Sequence, residues 1–413
     1  MSSFTLRGLI RNKLVQNTGY LSIIEIFRLL MPFIALPYII KTVGVTNYGS
    51  IVFAQAIISY FQIFINWGLD ISAVKDVSIS RNNPGELSVL LIKLLYLLLS
   101  ASLLIVASLF VPYVYENAGL LFCCFLLCFT DILFPVWFYQ GIEKMKYLAL
   151  IKFISILFYT VSIFIFIRRA DDYIYVPLLQ SLGNILGGII SMYLLLHVEK
   201  ISFCRVQKKY IVRTFKESAP FFISRISVVL NNSIAKIISG VFFTMDMVAA
   251  FDLAQKITAI ALVPIQMVNQ AIYPHLARTL NKLFARKMLI VNVALSFVIA
   301  MSVFALAPYA VYYFSKGELE ASVFLTRILC VWLFFGGIVV YLGGPVLVSF
   351  GYPKPFNDSV ILGTFILLIS YLLLYVCGGL DDVLNFAYVL CFSEIAMFSY
   401  RLFYCMKYKL FAR

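Results

Sequence analysis

Apolar runs of about 20 residues recur along this chain, and charged residues gather in the short gaps between them. A helix needs about 20 mostly apolar residues to cross a hydrocarbon layer about 30 Å thick, and helices satisfy their own backbone polar groups there. The pattern predicts about twelve transmembrane helices, over residues 17–40, 47–69, 88–112, 119–141, 148–167, 173–196, 218–241, 249–274, 289–313, 322–342, 357–378 and 383–405. The expected fold is all-α and polytopic. A tail over 1–16 leads into a six-helix lobe over 17–196. A basic loop over 197–217 joins it to a second six-helix lobe over 218–405, with a tail over 406–413. An even number of spans in each half gives both halves the same orientation, so a pseudo-two-fold axis along the membrane normal should relate them. A weak repeat agrees: Ala54-Gln55-Ala56-Ile57 and Ala254-Gln255-Lys256-Ile257 lie 200 residues apart.

Hydrophobic residues make up 62% of the 413 residues and charged residues 13%. Little sequence remains for a soluble domain, so function must sit among the helices. Lysine and arginine alternate by loop, with 21 on one side of the predicted membrane against 4 on the other. The positive-inside rule then places both termini and the 197–217 loop in the cytoplasm. The net charge of +14 is thus mainly a topology signal, and no nucleic acid partner is expected. Basic Arg7, Arg11 and Lys13 precede no apolar core with a small-residue cleavage site, so the first span is expected to remain as a helix. Neither CxxC spacing nor a histidine cluster occurs, so no metal, disulfide or cofactor is expected.

Polar residues inside the spans carry the functional information. A charge near the bilayer centre costs about 2.5–3.5 kcal/mol on insertion scales, so such residues normally face protein or enclosed water. Glu25 and Arg28 fall in span one, Asp131 in span four, Arg225 and Lys236 in span seven, Asp252 and Lys256 in span eight, and Glu394 in span twelve. Gln55, Ser59, Gln62, Asn66 and Asp70 recur at steps of three and four, which draws one polar stripe along a helix. Arg225, Asn232 and Lys236 share a face of span seven, and span eight aligns Asp252, Lys256 and Gln270. Stripes in spans one, two, seven and eight would line a central cavity between two lobes, the architecture of a transporter. Structural roles stand beside this reading. Glu25–Arg28 and Asp252–Lys256 are spaced as helix-pinning pairs. Lys236 could instead meet Asp252 across the turn near Thr244, and glutamine and asparagine stripes also serve as helix–helix glue. Lys93, Lys152, Arg327 and Arg401 lie near span ends, where snorkelling to the interface is expected.

Two segments resemble a known family. Gly44-Val-Thr-Asn-Tyr48-Gly49, continuing through Phe53-Ala54-Gln55 to Gly68-Leu-Asp-Ile-Ser72, is similar to the span-one to span-two signature of bacterial polysaccharide flippases. Pro135-Val-Trp137-Phe-Tyr-Gln140-Gly141-Ile-Glu143 is similar to that family's aromatic-Gln-Gly-x-Glu segment. Span number and chain length extend the resemblance over the whole chain, although the C-terminal half matches by pattern alone. It points to a Wzx-type flippase of O-antigen or related polysaccharide repeat units, in the multidrug/oligosaccharidyl-lipid/polysaccharide exporter superfamily.

The resemblance implies transport, without catalysis, of an undecaprenyl-pyrophosphate-linked oligosaccharide across the bacterial inner membrane by alternating access. Membrane lipids and other polysaccharide-assembly membrane proteins are the implied partners. On that reading Arg28, Arg225, Lys236 and Lys256 supply the cavity's positive charge, with Arg28 and Arg225 as the expected contacts of the pyrophosphate, whose oxygens favour charge-assisted hydrogen bonds. Gln55, Gln62, Asn66, Asn232 and Gln270 meet sugar hydroxyls. No Gly-rich phosphate-binding loop is present, so an H+ or Na+ gradient is the expected energy source. Asp252, Asp131, Glu25 and Glu394 are the candidate ion-coupling groups. A multidrug exporter on the same architecture is the alternative, and would need a surplus of carboxylates. A membrane glycosyltransferase or polymerase is a third class, disfavoured because the outer loops are only about ten residues long or shorter.

Overall fold

The computed structural model describes residues 31, 33–79, 84–199 and 208–411. The helices are α1 (Phe33–Val43), α2 (Val45–Asn66), α3 (Leu69–Ile79), α4 (Pro84–Phe110), α5 (Pro112–Glu116), α6 (Ala118–Phe125), α7 (Leu127–Leu133), α8 (Val136–Gly141), α9 (Met145–Phe166), α10 (Tyr175–Tyr193), α11 (Lys208–Phe242), α12 (Met245–Thr279), α13 (Lys282–Ser315), α14 (Ala321–Tyr341), α15 (Pro353–Val376) and α16 (Leu384–Lys407). Among the described residues there are 10 helical stretches long and apolar enough to cross a membrane. They coincide with the second to sixth and eighth to twelfth predicted spans. The seventh falls within α11, whose 35 residues carry too much charge to read as a simple span. The first predicted span falls mostly outside the described residues.

Why these helices belong in lipid is plain from what they expose. Along α4, Leu95, Leu98, Leu99 and Leu103 all point outward, a face that water would disfavour and acyl chains accept. Burial differs sharply between helices: 61% of the apolar window of α12 is buried, against 17% for α13. Helix α12 is therefore an inner element and α13 a peripheral one.

The chain divides into two compact units. The first comprises the described residues within Met1–Gly44 and Ala54–Ile226, and the second Val45–Phe53 with Ser227–Arg413. Helices α2 and α11 each give one part to each unit. The first unit's core gathers Leu69, Ala73, Trp137, Phe138, Tyr139 and Leu148. Here α9 and α10 pack closely because Gly183 and Gly187, one turn apart, remove side chains where α10 meets Ser155 and Ile151. The second unit's core gathers Leu276, Tyr341, Leu342, Val346 and Leu347, with a smaller cluster around Ile265, Ala300 and Leu333.

Two breaks in the first unit position polar residues. Proline at 135 disfavours helical geometry at Phe134 (φ −114°, ψ 82°) and so separates α7 from α8, within a span from Ala118 to Gly141 that runs as three short helices. A second break ends α2, where Trp67 (φ 41°) and Gly68 (φ 69°) are both left-handed. Position 68 admits only glycine, because a Cβ there would lie 2.8 Å from the Ser218 carbonyl oxygen and 2.9 Å from the Phe222 nitrogen of α11. The 47–69 span was expected as one helix. It turns at Trp67 and resumes as α3.

Candidate functional site

In the second unit, α11 and α12 form a hairpin that turns at Phe243 and Thr244. Lys236 precedes Thr244 by as many residues as Asp252 follows it, so the two side chains face each other across the hairpin. Lys236 Nζ lies 2.7 Å from Asp252 Oδ1. One helical turn beyond Asp252, Lys256 Nζ lies 2.7 Å from Oδ2. The first turn of α2 completes the cluster: the Tyr48 hydroxyl donates to Asp252 Oδ2 at 2.5 Å and accepts from Lys256 at 2.7 Å. The Lys256 ammonium also lies 5.2 Å from the centre of the Tyr48 ring. This approach needs Gly49, since a Cβ there would collide with the Met245 backbone. Nearby, Thr46 donates to Asp246 at 2.6 Å, a second contact between the first turn of α2 and α12.

Charge in this cluster does not cancel. Two ammonium groups share one carboxylate, leaving one net positive charge at membrane depth. The carboxylate is only 2% exposed, whereas the Lys236 and Lys256 side chains are 20% and 39% exposed. The acid is sealed and the two lysines are only partly covered. An ammonium has three donors, so each lysine can still bind an incoming anion.

A second cluster lies in the first unit, at Asn66 and Asp70 on either side of the α2 break. From α4, Lys93 Nζ donates to Asn66 Oδ1 at 2.8 Å, to Asp70 Oδ1 at 2.7 Å and to the Asp131 carbonyl at 3.1 Å. The Asn66 amide in turn donates to the Asp131 carboxylate. Asp131 Oδ2 is buried and has no hydrogen-bond partner among the described residues. Lys93 is 2% exposed, which corrects the expectation that it snorkels. Sequence reasoning missed it as a site residue; the available signal was a lysine inside the apolar run of α4.

Arg401 is corrected in the same way. It is buried, donates to Ser359 Oγ at 2.8 Å and to the Val339 carbonyl at 2.5 Å, and lies over the Phe356 ring. Glu394, two turns earlier on α16, is also buried and accepts a hydrogen bond from the Trp332 indole. Gln55 donates to Gln180 at 2.8 Å, and Gln62 is half-buried. Arg225, Asn232 and Gln270 are exposed. Their sequence neighbours Asn231 and Asn269 make the helix–helix contacts instead, to Thr364 at 3.1 Å and from Asn292 at 2.8 Å. Arg28 and Glu25 lie outside the described residues. No group of three or more metal-ligating side chains occurs among the described residues.

Several solved structures share this fold. The lipid II flippase MurJ in its inward closed conformation aligns with a TM-score of 0.72 at 14% identity, covering 93% of this chain and 87% of that one. An inward-facing multidrug resistance MATE family transporter of the MOP superfamily aligns at 0.69 and 13% identity, covering 95% of this chain and 100% of that one. By sequence, a candidate O-antigen transporter of Escherichia coli (strain K12) is 25% identical over 270 residues, 64% of this chain and 65% of its own length. A Shigella dysenteriae protein of the same description is 25% identical over 260 residues, 60% of this chain and 64% of its own length. The chain thus matches just under two thirds of each relative's length. Residues 14–280 match the model of the family described as polysaccharide biosynthesis protein, and the chain belongs to that family.

Proposed function

We propose that this protein is a flippase that carries an undecaprenyl-pyrophosphate-linked oligosaccharide, an O-antigen or related repeat unit, from the cytoplasmic to the periplasmic leaflet of the bacterial inner membrane. The observation that carries this reading is the cluster in which Lys236 and Lys256 share Asp252, with its surplus positive charge and its partly exposed lysine side chains. A pyrophosphate cannot cross hydrocarbon bare, and a fixed cation with free donors replaces its water by charge-assisted hydrogen bonds. Asp252 and Tyr48 hold the two lysines in place. Arg225 and Arg28 are the further cations assigned to the same headgroup. Gln55, Gln62, Asn66, Asn232 and Gln270 are assigned to sugar hydroxyls, which are costly to bury without partners. Both termini are placed in the cytoplasm, and access alternates between the two faces.

Ion coupling is the finer part of the proposal. One charge moved through 100 mV supplies about 2.3 kcal/mol, enough to bias a transport cycle. Asp131, with an unpartnered oxygen, and Glu394, with a single indole donor, suit binding of a proton or cation better than Asp252, which two lysines already neutralise. The cationic surplus also argues against the multidrug exporter, which would need the opposite balance.

The test is flipping of the lipid-linked saccharide by Lys236→Gln and Lys256→Gln proteins in proteoliposomes. Loss of a charge-assisted contact worth about 1.5–3 kcal/mol slows a step that depends on it by about tenfold or more. A double variant that folds normally and flips at the wild-type rate would refute the assignment.

A further inference from the structure

In the second unit α13, α14 and α16 enclose a groove of about 530 Å³. Its walls are Phe304 of α13, Ile328 and Val331 of α14, and Tyr388, Phe392 and Ile395 of α16. Val331 is 43% exposed and Phe392 58%. On apolar helices of this length, such exposure means that the groove opens toward acyl chains rather than toward a protein interior.

One charged residue lines this apolar groove. The Arg327 guanidinium sits 5.2 Å from the centre of the Phe304 ring, and its Nε is buried without a hydrogen-bond partner among the described residues. An unmet cationic donor in an apolar setting is costly, and a bound acceptor would remove that cost. Arg327 is six residues into α14, about 9 Å from its first residue. An arginine at that depth reaches the level of the headgroups along its own aliphatic stem. The occupant must therefore combine an apolar chain that fills the groove with an anionic oxygen at the membrane edge.

We propose that this groove binds a single anionic phospholipid, with one acyl chain along α14 and α16 and the phosphate accepting from Arg327. A net-anionic head complements the guanidinium, whereas a zwitterionic head brings a cation of its own. The site is independent of the flippase reading, and its test involves no transport.

The test titrates the full-length protein in mild detergent with phosphatidylglycerol or phosphatidylcholine and counts retained lipids by native mass spectrometry. One phosphatidylglycerol is expected to bind about tenfold more tightly to the wild type than to Arg327→Gln, the loss of one charge-assisted contact. Val331→Trp fills the groove while keeping the arginine, and is expected to lose the same lipid. Photoactivatable phosphatidylglycerol should label α14 and α16 at the groove in the wild type, which keeps the test decisive if a variant fails to fold. Equal retention by the wild type and either variant overturns the proposal. So do equal affinity for phosphatidylcholine, labelling elsewhere, or preferential capture of a lipid-linked saccharide at this groove.

Discussion

The two ionised clusters are opposite in composition. In the first unit one sealed cation, Lys93, pairs with the Asp70 carboxylate and also donates to Asn66 and to the Asp131 carbonyl, while the Asp131 carboxylate beside it accepts from Asn66. In the second, one sealed carboxylate, Asp252, serves two cations. Helix α2 supplies a residue to both, Tyr48 in its first turn and Asn66 at its last position. Water access differs as well: Asp70 is 38% exposed beside its buried lysine, while Lys236 and Lys256 are the open members of their cluster. The open charge is therefore negative in one unit and positive in the other. A cluster that presents carboxylates suits a proton or cation, and one that presents ammonium groups suits an anion. The contrast supports the proposed binding of an anionic headgroup by Lys236 and Lys256, while the proposed ion coupling at Asp131 rests on its buried, unpartnered oxygen.

If that contrast is right, removing the sealed member of each cluster should have unequal consequences. Lys93→Met leaves the Asp70 carboxylate without its paired cation and the Asp131 carboxylate without the positive charge beside it. Breaking a buried pair by deleting one partner costs about 3–5 kcal/mol, so this variant should show the largest loss of thermal stability, recovered in part by adding Asp131→Asn. Asp252→Asn should cost less, about 1–3 kcal/mol, because both lysines it leaves unpaired reach water. Thermal denaturation of the two variants in one detergent ranks them. A larger loss for Asp252→Asn than for Lys93→Met would break the comparison.

Parts of this arrangement were legible in the sequence, and the limits are physical. Span positions were readable because hydropathy sums over many residues, so single errors average out. The contact of Asp252 with Lys256 was readable because it is local to one helix, and that with Lys236 because both residues are equidistant from a turn. Lys93 was not, since its partners come from α2, α3 and α7 and no spacing rule joins three helices. Its other precondition, the left-handed step at Trp67 and Gly68, redirects the polar stripe between Asn66 and Asp70, which a continuous helix would not do. Amide choice failed for a related reason. Adjacent residues on a helix point about 100° apart, so whether Asn231 or Asn232, Asn269 or Gln270, meets a neighbour depends on packing that one helix does not encode.

Asp76 supplies a milder contrast within the first unit. It lies on α3 six residues after Asp70, beyond the membrane-spanning stretches. Partial burial, followed by the nearby Glu217 carboxylate, raises its pKa above the usual aspartate value, while Arg213 and Lys75 act the other way. A raised pKa in the folded state means that folding disfavours the ionised form, so the cost is present at neutral pH and disappears as pH falls below the unfolded-state value. Asp76→Asn should therefore melt slightly higher than the wild type at pH 7, by an amount within the range of surface substitutions, below about 0.5 kcal/mol. The difference should vanish toward pH 3. The opposite sign would mean that Asp76 is held by a cation as Asp70 is, and that charge pairing in this unit extends beyond the cluster around Lys93.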